Sequence, residues 1–121
     1  MTVIAWEQGE SEQIVNSTNW IQVAHKEWTQ DRDATEEYFL IINAEYTIAN
    51  IAQTVQIRVV IDGTEQSIDH FSPEVAGQFR TFCTLVFQQA GLGLHSLALE
   101  VRGTSADDIT VRRRRLLVIK H

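Results

Sequence analysis

The stretch GLGLHSLALEVRGTSADDITVRRRRLLVIKH, residues 91–121, fixes the fold class. It reads as two long β-strands, Leu94 to Arg102 and Ile109 to Lys120, joined as a hairpin by the polar turn Gly103 to Asp108. On an unbroken strand, side chains alternate between faces. Arg112 and Arg114 would then share one face with Leu116 and Val118. Arg113 and Arg115 would share the other with Ile109, Val111, Leu117 and Ile119. Both faces therefore change from charged to apolar along one strand, and Leu116 to Ile119 is apolar on both sides. Such a segment is either central between covering layers or covered by a neighbouring subunit. Two readings of the arginines stay open. In one they lie on solvated sheet surface and a β-bulge near Arg113 re-phases the strand. In the other they pair with carboxylates, such as Glu100 or acids on another copy, because the guanidinium fork suits bidentate ion pairs.

Working outward, apolar stretches rich in Val, Ile, Thr, Phe and Tyr recur between turn formers. In Glu37 to Asn50, residues Tyr38, Leu40, Ile42, Ala44, Tyr46 and Ile48 fall on one face. In Thr54 to Asp62, Val55, Ile57, Val59 and Ile61 do the same, so period two prevails over period 3.6. Asp62-Gly63 supplies the dipeptide that accepts positive φ in a tight turn, returning the chain through a polar edge strand, Thr64 to His70. Thr2 to Trp6 and Trp20 to Trp28 read as further strands, separated by the polar segment Glu7 to Asn19. In Phe71 to Ala90, Ser72, Pro73 and Glu74 resemble a helix start. Gly77, Thr81, Cys83, Thr84, Val86 and Phe87 are poor helix formers, so this region is expected to make a short helical turn followed by a strand. The sum is about eight strands: an all-β, antiparallel β-sandwich of jelly-roll type, in a single domain spanning residues 1–121.

Composition agrees with a folded domain. The chain has 121 residues, 44% hydrophobic and 21% charged, and a length sufficient to bury a core without disulfides. No run approaches the roughly 20 apolar residues of a membrane span, so no membrane role is expected. The N-terminus lacks the pattern of a signal peptide, which predicts a soluble protein made in a cytoplasm. The lone Cys83 excludes an intrachain disulfide and is expected to be buried as a small apolar side chain. A net charge of −6 argues against nucleic acid as a partner. With the acids early and the arginines late, the asymmetry suits contacts between copies of the chain.

No residue constellation points to catalysis, a cofactor or a metal. The histidines His25, His70, His95 and His121 are scattered without ligand spacing. Asp69-His70 beside Ser67 has the residue types of a hydrolytic triad, but adjacent strand residues face opposite ways and no nucleophile elbow is present. Asp31, Asp33, Asp107 and Asp108 are better explained by turn chemistry than by calcium. Of Trp6, Trp20 and Trp28, we expect Trp20 or Trp28 to be exposed and to contact a partner protein or a sugar. These two, with Arg112, Arg113, Arg114 and Arg115, are the expected contact residues.

AGLGLHSLALEV followed by a polar loop and ITVRRRRLLVIKH, preceded by EYFLIINAEYTIAN and VQIRVVIDGTEQ, resembles small β-sandwich virion proteins of tailed bacteriophages. The likeness covers about two-thirds of the chain. This sequence departs from the group's Ala-Gly-x-His-x-Leu turn by inserting Leu92 and Gly93. The resemblance implies a non-enzymatic virion structural protein: a capsid decoration (cement) protein, or a head or tail accessory. It also implies a homotrimer whose partners are the major capsid protein or other virion proteins, located in the virion. Tumour-necrosis-factor-like trimers share the general look. The rival reading from the residues is a carbohydrate- or receptor-binding β-sandwich that uses its tryptophans.

Overall fold

The computed structural model describes residues 2–72 and 75–121. They form β1 (Thr2–Gly9), β2 (Gln13–Val15), β3 (Ile21–Gln30), β4 (Glu36–Ile48), β5 (Val55–Ile61), β6 (Thr64–Phe71), β7 (Arg80–Ala90), β8 (Gly93–Gly103) and β9 (Ile109–Lys120). Every ladder is antiparallel, and the pairing is nested: β5 with β6, β4 with β7, β3 with β8, and β1 then β2 with β9. The chain is thus one long hairpin, bent at Asp62-Gly63 and rolled up. Ladders β4–β9 and β5–β8 complete the roll as two sheets, β1-β9-β4-β7 with β2 beside β9, and β3-β8-β5-β6. Nested antiparallel pairs shared between two sheets are the jelly roll, in which β1 and β2 count as one interrupted strand.

Local sequence explains the bend. Asp62 and Gly63 take φ of 51° and 77°, the left-handed pair of a two-residue hairpin turn. As expected, β6 lies at a sheet edge. The inner faces bury Leu40, Ile42, Leu116 and Val118 from one sheet against Ile57, Leu97 and Leu99 from the other. Each such side chain contributes roughly 1.5–3 kcal/mol when fully buried.

One expectation needs correction, and another is described only in part. First, β8 and β9 are not a hairpin: they belong to different sheets, and Gly103 to Asp108 carries the chain across the sandwich. What fixes that crossing is the buried Gln53, from the turn before β5. Its Nε2 donates to Asp107 O (2.8 Å), and its Oε1 accepts from Ser105 N (3.2 Å) and from Ser105 Oγ. Second, the helical turn expected at Ser72, Pro73 and Glu74 falls partly on 73–74, outside the described residues. Val75 to Gly77 form a bend and turn, with Gly77 at φ 79°, and β7 follows.

His95 fastens the other end of the sandwich. Its Nδ1 lies 2.8 Å from Asp62 Oδ2 and its Nε2 2.7 Å from Gly91 O, while the ring stacks 5.4 Å from that of Trp28. Carboxylate and carbonyl are both acceptors, so the doubly protonated imidazolium satisfies both at once. Burial pulls the His95 pKa down, but the bonds to Gly91 and Asp62 outweigh it and the net shift is upward.

Two outcomes follow from these contacts. A Cβ at Gly103 would sit 2.7 Å from Gln53 Oε1 and 3.0 Å from Ser105 O. Gly103→Ala is therefore expected to cost about 1–3 kcal/mol by overpacking, read as a lower midpoint in urea unfolding. A histidine whose folded pKa is raised stabilises fully below the unfolded value, about 6.5, and that contribution is lost as pH rises through the folded pKa. His95→Gln should accordingly destabilise more at about pH 5 than at about pH 8.5; an equal loss at both would contradict the ion pair.

Candidate interaction face

β9 is a central strand with two apolar halves that must both reach the core. Ile109 and Val111 point inward, and so do Leu116 and Val118, although the parity changes between them. The change occurs at Arg113, whose φ of 50° makes it the left-handed residue of a bulge, where the β4 ladder jumps from Glu45↔Arg112 to Asn43↔Arg115. One of the two readings of the arginine run therefore holds in its bulge, and the other in its ion pairs. The partners are not the expected Glu100, which lies in the opposite sheet and is held by Arg58 Nε at 2.6 Å.

Re-phasing gives the four arginines four environments. Arg112 Nε donates to Glu45 Oε1 (2.9 Å), and its guanidinium lies over the Phe79 ring at 3.4 Å from the centroid. Arg113 is exposed, with Nη1 3.1 Å from Glu45 Oε2 and Nε 3.9 Å from Glu10. Arg114 turns inward, only 9% exposed, and donates to Val111 O at 3.1 Å. It fits because Gly9 lies opposite: a Cβ there would come within 2.9 Å of Arg114 Nη2. Arg115 is exposed and meets Glu10 at 3.6 Å. The hydrogen bond from Arg112, aided by Arg113, holds the Glu45 carboxyl below its ordinary pKa even against desolvation.

Beyond Arg115 the outer face of the sheet is apolar. Two rows cross all four strands: Val3, Ile119, Phe39 and Phe87, then Trp6, Leu117, Ile41 and Leu85. Trp6 is 59% exposed, Leu85 62% and Phe87 51%; Val3 is also exposed, and the four central side chains are half-buried. Phe39 and Phe87 meet edge to face, centroids 5.3 Å apart. Shallow grooves of about 380 and 310 Å³ flank Arg115, one reaching Cys83 and Glu45, the other Trp6 and Leu117. Eight contiguous apolar side chains on one open sheet face exceed the scattered exposure normal for a monomer.

Much of the opposite outer face is satisfied within itself, with Leu94 its exposed apolar exception at 65%. Trp20 is bracketed by the guanidiniums of Arg58 and Arg102, 4.4 and 4.3 Å from its ring centre. Arg102 Nε donates to Gln56 at 2.5 Å. Trp28 is 5% exposed, packed between Tyr38 and His95. The exposed indole is thus Trp6, not Trp20 or Trp28. Cys83 is exposed on the outer face rather than buried. Among the described residues, no three His, Cys, Asp or Glu side chains converge to hold a metal ion, and no helix is long and apolar enough to cross a membrane. Asp107 and Asp108 take hydrogen bonds from Asn50 and Asn16.

The signal for the apolar face was present in the sequence. Phe39 to Ile42 and Leu116 to Ile119 are each apolar at consecutive positions, and a sheet with one core face needs only alternate ones.

Comparison with known proteins yields fold but no family. No family model and no curated protein matches the chain. The jelly roll is shared with solved structures. The VP2 subviral particle of infectious bursal disease virus superposes with TM-score 0.63 at 7% identity, over 96% of this chain and 33% of that one. The insecticidal delta-endotoxin Cry8Ea1 of Bacillus thuringiensis gives 0.56 at 15% identity, over 91% and 19%. The C-terminal domain of EclA, a sugar-binding protein, gives 0.53 at 14% identity, over 88% and 77%. The chain spans a third or less of the viral and toxin chains.

With Trp6 59% exposed and Trp28 buried, Trp6 supplies the red-shifted, iodide-quenchable emission of the protein. Trp6→Phe should remove that component, and Trp28→Phe should leave it intact; the reverse pattern would refute the assignment.

Proposed function

We propose that the chain is a non-enzymatic structural protein of a virion, a decoration (cement) or head or tail accessory protein that stabilises a particle by subunit contact. The observation that carries this reading is the apolar outer face of β1, β9, β4 and β7. Apolar surface returns roughly 25 cal/mol per Å² when removed from water, so a face built of Trp6, Phe39, Ile41, Leu85, Phe87 and Leu117 favours a covered state. Arg113 and Arg115, with Glu10 and Glu45, border that face and form its charged rim. Arg112 and Arg114 are already engaged within the chain and hold the bulge.

In this reading the partners are copies of the chain, in threes as the sequence resemblance implies, and the major capsid protein or another virion protein. The place of action is the virion, after synthesis in the host cytoplasm. The jelly roll shared with a VP2 subviral particle supports the reading at the level of fold alone. An apolar contact with an ionic rim keeps most of its affinity in salt, because screening weakens only the exposed pairs.

A second reading keeps a foothold in Trp6. Between the two sheets, an open groove of about 380 Å³ is lined by Trp6, Lys26, Glu27 and Thr29, an aromatic surface beside polar groups, as a sugar site requires. The fold of a sugar-binding domain of EclA is compatible with it.

Co-sedimentation with particles built from the major capsid protein of the same genome separates the two. The virion reading predicts saturable binding that survives about 0.5 M salt and is lost in Leu117→Lys. A monodisperse monomer that binds neither capsids nor tails would overturn it. A glycan array positive for the native chain and negative for Trp6→Ala would replace it with the second reading.

A further inference from the structure

Besides the three-residue β2, the described strands at sheet edges are β1, β7, β3 and β6, and all of these but β7 are protected against pairing with another chain. In β1 the register with β9 skips at Ile4. In β3 it skips at Val23, and that strand carries His25, Lys26 and Glu27, the first and last of them exposed. In β6 it skips at Gln66, with Glu65, Asp69 and His70 along the strand. A bulge on the edge strand itself, charges, or both are the ordinary means by which a sheet avoids growing across molecules.

β7 has neither. All of its 11 residues pair with Glu36 to Tyr46 without a shift, and after Arg80 at its first position the strand TFCTLVFQQA carries no charge and no proline. Among the described residues, its outward backbone groups pair with no other strand. Its side chains add to the exposure, since Leu85 and Phe87 are the outermost members of the apolar rows. Beside it, an open groove of about 290 Å³ runs between the β6 and β7 edges, lined by Phe71, Phe82 and Thr84.

We propose that β7 is a docking edge for a second copy of this chain, paired antiparallel with its own counterpart about a two-fold axis through Leu85. Three observations select the second copy over an unrelated strand. The midpoint of Arg80–Ala90 is Leu85, so a two-fold there matches the whole strand against itself, with Arg80 opposite Ala90 and Cys83 opposite Phe87. No like charges meet. Directly opposed residues point to the same face, so Cys83, Leu85 and Phe87 stay outward and the apolar patches of the two copies become one. Finally, the bulged and charged edges of β1, β3 and β6 cannot receive β7 in an unbroken ladder, which leaves β7 as its own best partner. Such an isologous contact closes on itself and does not propagate into fibres.

This goes beyond the virion reading and does not require it. A two-fold β7 contact doubles whatever the other contacts build, so the mass of the free protein is that of two chains, or of six where a three-fold contact is also made. Sedimentation equilibrium gives the mass, and amide hydrogen exchange locates the contact. For the native chain, we expect an even-numbered assembly in which β7 amides on both sides of the strand are protected. Leu85→Lys, at a 62% exposed position, sets two ammonium groups face to face. It should weaken the pairing about 30-fold or more and expose alternate β7 amides while β4 keeps its protection. Trp6→Lys, on the far side of the same face, should leave the pairing intact.

In a Cys83→Ser background, Leu85→Cys should form a disulfide-linked dimer on mild oxidation. A native monomer or trimer overturns the proposal, as does equal loss of pairing in Trp6→Lys and Leu85→Lys. A trimer would leave the virion reading standing, whereas a β7-paired dimer that ignores capsids would remove the virion reading alone.

Discussion

The left-handed turn of the backbone at Arg113 is what the rest of the structure depends on. β9 lies between β1 and β4 and must bury Ile109 and Val111 at one end and Leu116 and Val118 at the other. An unbroken strand of this sequence would send one of those pairs to solvent. The bulge resolves the conflict by inserting a residue at positive φ, which in a non-glycine side chain carries a modest backbone cost. Glu45 offsets that cost by taking hydrogen bonds from Arg113 at the turn and from Arg112 just before it, and Arg114 folds back onto Val111 O where Gly9 leaves room. The four arginines are mainly the fittings of a register change.

Once β9 is re-phased, the apolar outer face follows. Leu117 and Ile119 are forced outward together, into register with Trp6 and Val3 on one side and with Ile41 and Phe39 on the other. The rows then run to Leu85 and Phe87 on β7. The other sheet shows a contrasting solution: around Trp20 its outer face closes with Arg58, Arg102, Glu100 and Gln56, and Leu94 stands exposed apart from that cluster. One sheet pairs most of its outer polar and aromatic groups within itself, and the other presents a contiguous apolar surface and an edge that other molecules can complete.

Local chemistry was legible in the sequence, and long-range pairing was not. Asp62-Gly63 announced its own turn, the polar β6 its place at an edge, and the bulge near Arg113 was one of two readings of the arginine run. The misreading of β8 and β9 as a hairpin has a physical source. A five- or six-residue polar connection looks the same whether it turns within a sheet or crosses between sheets, and here Gln53, some fifty residues away, makes the difference. The arginines' partner Glu45 is 67 residues from Arg112. Trp28 was misplaced because the register skip at Val23 reverses the parity of β3 and turns the indole inward. Trp6 ranks below the other two indoles in the sequence because its exposure depends on the outward register of Leu117, set by a bulge elsewhere.

The central claim is that the outer face of β1, β9, β4 and β7 is covered when the protein is at work. Hydroxyl-radical footprinting of the dilute free chain and of the chain in its assembled state tests it directly. The account predicts that Trp6, Leu85, Phe87 and Leu117 lose reactivity on assembly while Trp20, on the opposite face, is unchanged. Equal reactivity of the four in both states, or protection confined to Trp20, would contradict it.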